Sequence, residues 1–152
     1  MDRDDGARGG AATTTDRTPG EYIAVVLGAV YVLVGILGFF VTGGVEFAGT
    51  QGGKVLGVFE VNPLHNLVHL AIGIALIAAF YSGAAAVRAV ATIIGAVYVI
   101  LGIAGFFIEG EDANILALNV PDHILHLVSG AALLVAAALT RPTGELSARR
   151  AT

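Results

Sequence analysis

The 152-residue chain has no cysteine, no tryptophan and a single methionine. Without cysteine there are no disulfides, no thiolate metal ligands and no thiol nucleophile. Charge is also scarce. Asp, Glu, Lys and Arg make up 13% of the residues, about half the share in an ordinary soluble domain. Such a chain cannot coat a water-facing surface, so a soluble enzyme is excluded. Eight Lys and Arg against twelve Asp and Glu leave a net charge of −4, with no basic footprint for nucleic acid. What the chain has in quantity is apolar side chains, 56% of all residues, and a mean hydropathy of +0.83. These point to the lipid bilayer as its partner and solvent.

Four apolar runs carry that excess, at residues 22–42, 61–80, 89–108 and 118–139. Each holds about 20 residues, which as a helix covers the ~30 Å hydrocarbon core. Lipid offers no partner to an open backbone, so each run is read as a helix. The polar segments 1–20 and 141–152 read as disordered tails, with Pro142 and Gly144 stopping the last helix. The long acidic segment before the first run argues against a signal peptide. Arg3, Arg8, Arg17, Arg88, Arg141, Arg149 and Arg150 all fall on one side of these runs, and only Lys54 falls on the other. By the positive-inside rule both termini are expected in the cytoplasm, in a multi-pass protein of the inner membrane. The outer loops then carry Glu46, Glu60, Glu109, Glu111 and Asp112.

The chain repeats itself. Residues 28–40 and 95–107 share ten identities in thirteen positions, including Gly28 with Gly95, Tyr31 with Tyr98, Gly35 with Gly102 and Gly38 with Gly105. The second and fourth runs match at another offset, pairing Asn62 with Asn119, His65 with Asp122, Asn66 with His123, His69 with His126 and Gly73 with Gly130. Two tandem units, 22–80 and 89–139, each with two spans, keep the same orientation and relate by an axis along the membrane normal. The expected fold is an all-α membrane protein, four transmembrane helices in one bundle built from two helical-hairpin repeats. The paired stretches Asn62-Pro63-Leu64-His65-Asn66-Leu67-Val68-His69 and Asn119-Val120-Pro121-Asp122-His123-Ile124-Leu125-His126, with the Gly-Ala-Val-Tyr repeats, resemble small four-span bacterial membrane proteins. Those are grouped as domain-of-unknown-function family 4383. The resemblance covers about residues 20–140 and implies a bacterial inner-membrane location. It implies no activity and no catalytic residue.

The conspicuous residues fall into two sets. Gly28, Tyr31, Gly35 and Gly38 share one helix face, as do Gly95, Tyr98, Gly102 and Gly105. Small residues there serve close backbone approach in lipid, and Gly73 and Gly130 extend the set to the partner helices. The second set is polar. Asn62, His65, Asn66 and His69 form one stripe at i, i+3, i+4 and i+7, and Asn119, Asp122, His123 and His126 form its counterpart. Ionisable groups at membrane depth normally face the bundle interior and are functional candidates.

Several readings of these stripes compete. In a structural reading Asn62 and Asn119 cap helices, with Pro63 and Pro121 in the first turn, and the histidines bond across helices. In a ligand reading His65, His69, Asp122 and His126 hold a divalent metal such as zinc, or His69 and His126 clamp a haem. In a third, the cluster opens outward as a vestibule for a proton or small solute. No serine or threonine has a nucleophile setting with an oriented base, so hydrolytic catalysis is not expected. The expected protein is non-enzymatic, structural or accessory, with no cofactor assigned, a metal or haem as its alternative ligand, and a homo-oligomer as one possible state. Depth arithmetic also places Tyr31 beside the His65/His69 stripe and Tyr98 beside the His123/His126 stripe, their hydroxyls meeting the imidazoles.

Overall fold

A computed structural model describes residues 16–141. Four long helices account for most of them: α1 (Pro19–Val41), α2 (Pro63–Ser82), α3 (Ala84–Ile108) and α4 (Val120–Leu139). Each has the length and apolar content to cross a membrane. Their bounds shift from the apolar runs for local reasons. Thr18 caps α1, its hydroxyl accepting from the Glu21 N–H at 3.4 Å while the Glu21 carboxylate accepts from the Thr18 N–H at 2.7 Å. This reciprocal box starts the helix at Pro19, where a missing N–H breaks no bond. Pro19 and Gly20 are therefore helical, a correction to their assignment to a disordered tail. Of the expected tails, residues 16–18 and 141 lie outside any helix, and 1–15 and 142–152 lie outside the described residues. At the other turn, Gly83 alone separates α2 from α3, with φ of 106° and its N–H donating to the Ala79 carbonyl at 3.1 Å. Only glycine takes that φ without strain. So α3 starts at Ala84, and Arg88 sits on the helix and not in a loop.

The four helices form one bundle in which α1 lies against α2 and α4, and α3 against α2 and α4. Small residues make this possible. A Cβ on Gly73 would press on the Gly28 carbonyl and Val32, and one on Gly130 on the Gly95 carbonyl and Val99. Gly35 lies against the Asn66 carbonyl and Leu70, and Gly102 against the His123 carbonyl and Leu127. Dispersion between close backbones replaces the hydrophobic drive that lipid removes. The large apolar side chains point the other way. Phe40 and Phe107 are 81% and 79% exposed, a surface suited to acyl chains and not to water. Toward the end where α1 begins and α4 ends, the interior is closed by Ala24, Leu76, Ala79, Val87, Ala91, Leu133, Ala136 and Ala137.

The opposite end carries an element that the sequence reading does not contain. β1 (Gly53–Val55) and β2 (Phe59–Val61) pair antiparallel, with Lys54 opposite Glu60. The Val58 N–H donates to the Val55 carbonyl at 3.1 Å, and both central residues of that turn, Leu56 and Gly57, have positive φ. Three-residue strands show no readable alternation, and Leu-Gly lacks the Asn-Gly signature of such turns.

Candidate metal centre

Asn62 and Asn119 cap α2 and α4, accepting from the backbone N–H of His65 at 2.9 Å and of Asp122 at 3.3 Å. Fixing the first turns this way points the next polar side chains inward. The same amides also tie the loops down. Asn62 Nδ2 donates to the carbonyls of Gly49 and Ile115, both at 2.8 Å, and Asn119 Nδ2 to that of Val58 at 2.8 Å. The β-hairpin and the α3–α4 loop are thereby fastened over the helix ends. Asn114, which the sequence reading did not single out, is buried in the second loop. Its amide donates to the Leu118 carbonyl and accepts from the Leu118 N–H, both at 2.9 Å.

Beneath that cover three histidines converge. His65, His69 and His126 are 2%, 4% and 2% exposed, and one nitrogen of each lies within 4.8 Å of the other two. His65 and His69, one helical turn apart on α2, bring their Nε2 atoms to 2.9 Å, one donating and the other accepting. Their rings stack at 4.6 Å, and the His126 ring arrives from α4 at 5.8 Å from His65 and 6.2 Å from His69. Tyr31 and Tyr98 form the floor, the first 5.5 Å from His69, the second 4.8 Å from His126, and 5.4 Å from one another. Nδ1 of all three histidines and the Tyr31 hydroxyl have no hydrogen-bond partner, nor do Asn66 Oδ1 and the two ring nitrogens of the neighbouring His123. Buried polar groups normally do, at about 1–3 kcal/mol for each that does not.

The eight residues of the two polar stripes thus divide. Asp122 does not join the three-histidine group. Its Oδ2 accepts from the Asn119 N–H and the Glu60 N–H, both at 3.1 Å, so the carboxylate completes a capping box and anchors β2. His123, fully buried, lies outside the trio against Gly105, with its ring 5.0 Å from Phe106 and its Nε2 3.4 Å from the Glu109 carboxylate. Asn66 makes the equivalent contact in the first hairpin, filling the space over Gly38 and donating to the Thr42 hydroxyl at 3.2 Å. A stripe about 100° wide is broader than the seam at the bundle centre, and its edges meet the neighbouring helix. The tyrosines also differ from expectation. They meet the histidines through their rings, not their hydroxyls, because equal depth sets ring beside ring.

A haem between His69 and His126 does not fit this packing, since the buried rings are 6.2 Å apart with His65 within 5.8 Å and Tyr98 within 6.4 Å of both. Nor does the cluster open outward, because the fastened loops cover it. Three imidazoles at this separation suit a single ion. Metal–nitrogen bonds of about 2.0–2.1 Å set ligand atoms ~3.4 Å apart, a few tenths of an ångström beyond the His65–His69 contact.

Fold and surface together define a multi-pass membrane protein of four spanning helices. Residues 21–139 match the family model described as a domain of unknown function, DUF4383, and the chain belongs to that family. No curated protein and no solved structure matches it.

Proposed function

We propose that this is a non-enzymatic integral membrane protein whose working part is a metal centre made by His65, His69 and His126. One observation carries the reading, the convergence of a nitrogen from each within 4.8 Å in a buried interior. A purely structural role accounts for Asn62, Asn119, Asp122, Asn66 and His123, each of which is engaged in a cap or an interhelical contact. It leaves the trio unexplained: unpartnered nitrogens occur on His123 as well, but among the described residues three imidazoles converge on one another at this place alone, where an apolar cluster would hold the bundle better. Transport is the weaker alternative. Between the tyrosines and the far end the interior is packed with Ala24, Leu76, Val87, Ala91, Leu133 and Ala136, with buried Ser129 beside the tyrosine level and Glu21 and Thr140 at the end itself, and a path for ions needs more polar stations than these. The arginine distribution supports cytoplasmic termini in an inner membrane, which sets the centre in the outer half of the bundle. The thirteen-residue match supports descent from a duplicated hairpin.

Elemental analysis of the detergent-purified protein, with an absorption spectrum, tests the centre. One transition-metal ion per chain is expected, with no Soret band. His69→Ala should abolish retention while helical circular dichroism is kept. Metal that stays substoichiometric after loading, or that His69→Ala leaves unchanged, would overturn the proposal.

A further inference from the structure

We infer that the ion this centre selects is monovalent copper, Cu(I), over zinc or another dication. The inference rests on the metal-binding reading and deepens it. Its basis is charge. His65, His69 and His126 are neutral donors, so ligation leaves the whole charge of the ion inside the bundle. The nearby carboxylates are all committed elsewhere. Asp122 holds the N–H groups of Asn119 and Glu60, the Glu60 carboxylate accepts from the Gly52 N–H at 2.8 Å, and Glu109 faces His123. Among the described residues no Asp or Glu joins the three-histidine group.

The cost of placing an ion in a low-dielectric interior grows as the square of its charge, so a dication costs about four times as much as a monocation of equal size. Protein sites for dications offset this with carboxylate or thiolate ligands, or keep a water that ionises on the metal. Here the chain has no cysteine, the carboxylates are turned away, and the loops tied by Asn62 and Asn119 shield the imidazoles from water. Cu(I) needs none of these. It has a filled d shell, imidazole is a suitable donor, and two or three such ligands satisfy it without a fourth. The floor adds to the preference. The Tyr31 and Tyr98 rings, 5.5 Å from His69 and 4.8 Å from His126, offer π-electron density without a formal charge, an attraction adequate for a soft monocation.

The test uses the full chain in lipid nanodiscs, with Cu(I) buffered by a chromophoric chelator under reducing conditions and Zn(II) titrated in parallel. One Cu(I) per chain is expected, with an X-ray absorption edge of three-coordinate Cu(I) bound by nitrogen. Equimolar Zn(II) should not displace it. His126→Ala should weaken binding beyond the ~10–100-fold that loss of a supporting group causes. Asp122→Asn should leave it within a few-fold, because that carboxylate is turned to the Asn119 and Glu60 N–H groups and not to the ion. If His126→Ala does not fold, His65→Gln serves in its place. Stoichiometric Zn(II) that displaces Cu(I) would overturn the copper assignment and leave the metal centre standing. Uptake of neither ion would overturn both.

Discussion

Gly38 and Gly105 hold matching places in the two hairpins, and each is a glycine because of what faces it. A Cβ at Gly38 would collide with the side-chain amide of Asn66, and one at Gly105 with the imidazole of His123. Both side chains are fully buried and would have to shift to admit a Cβ, so an added methyl overpacks the seam. Gly38→Ala and Gly105→Ala should each destabilise the bundle by about 1–3 kcal/mol, read as a lower unfolding midpoint in detergent. Gly43, whose added Cβ would touch nothing, is the control and should tolerate alanine. Gly105→Ala should also leave metal content unchanged, because His123 lies outside the trio. A loss of metal in that variant would show that His123 takes part.

The elements are joined at both ends by contacts between residues some sixty positions apart. Where α1 begins, the Arg17 guanidinium pairs with the Glu21 carboxylate at 2.8 Å, lies 4.4 Å over the Phe80 ring and donates to the Phe80 carbonyl. One side chain thus closes the start of α1 onto the end of α2, where last-turn carbonyls lack helical partners. Arg17→Ala should lower stability by about 1 kcal/mol, since cation–π and partly exposed ion pairs are each modest. Arg17→Lys should recover only part of it, having no planar face to lay on the ring. An unchanged midpoint for Arg17→Ala would mean that the latch is incidental. At the other end the β-hairpin does comparable work, with Asp122 and Asn119 of α4 gripping the backbone of Glu60 and Val58. This makes the first loop a cover for both hairpins at once.

For the molecule as a whole, the proposed orientation has a direct check. Reporter fusions at Arg88 and at the C-terminus should score cytoplasmic, and cysteines placed at Gln51 and Asp112 should react with a membrane-impermeant reagent from outside. Labelling of Gln51 only after the cells are opened would invert the bundle and move the histidine centre to the inner half. Cysteines placed instead at positions 40 and 107, where Phe40 and Phe107 are exposed on the apolar surface, should resist that reagent on either side.

The four spans were legible in the sequence because the solvent imposes them. Lipid admits backbone only as helix, so about 20 apolar residues in a row have one meaning. The capping roles of Asn62 and Asn119 were legible too, since an Asn before a Pro-led helix acts through its own next turn. The division of the polar stripes was not. Helical periodicity places His65, Asn66, His69, Asp122, His123 and His126 on inner faces, but says nothing about which neighbour each face meets. That was decided by helix pairing, which sets His126 beside His65 and His69 and presses His123 against Gly105. The diversion of Asp122 was settled by a three-residue strand too short to leave a pattern in the chain. Local sequence determines what hydrogen-bonds within a turn. Contacts between residues some sixty positions apart, such as Glu60 with Asp122 and His65 with His126, exist only once the two hairpins have packed.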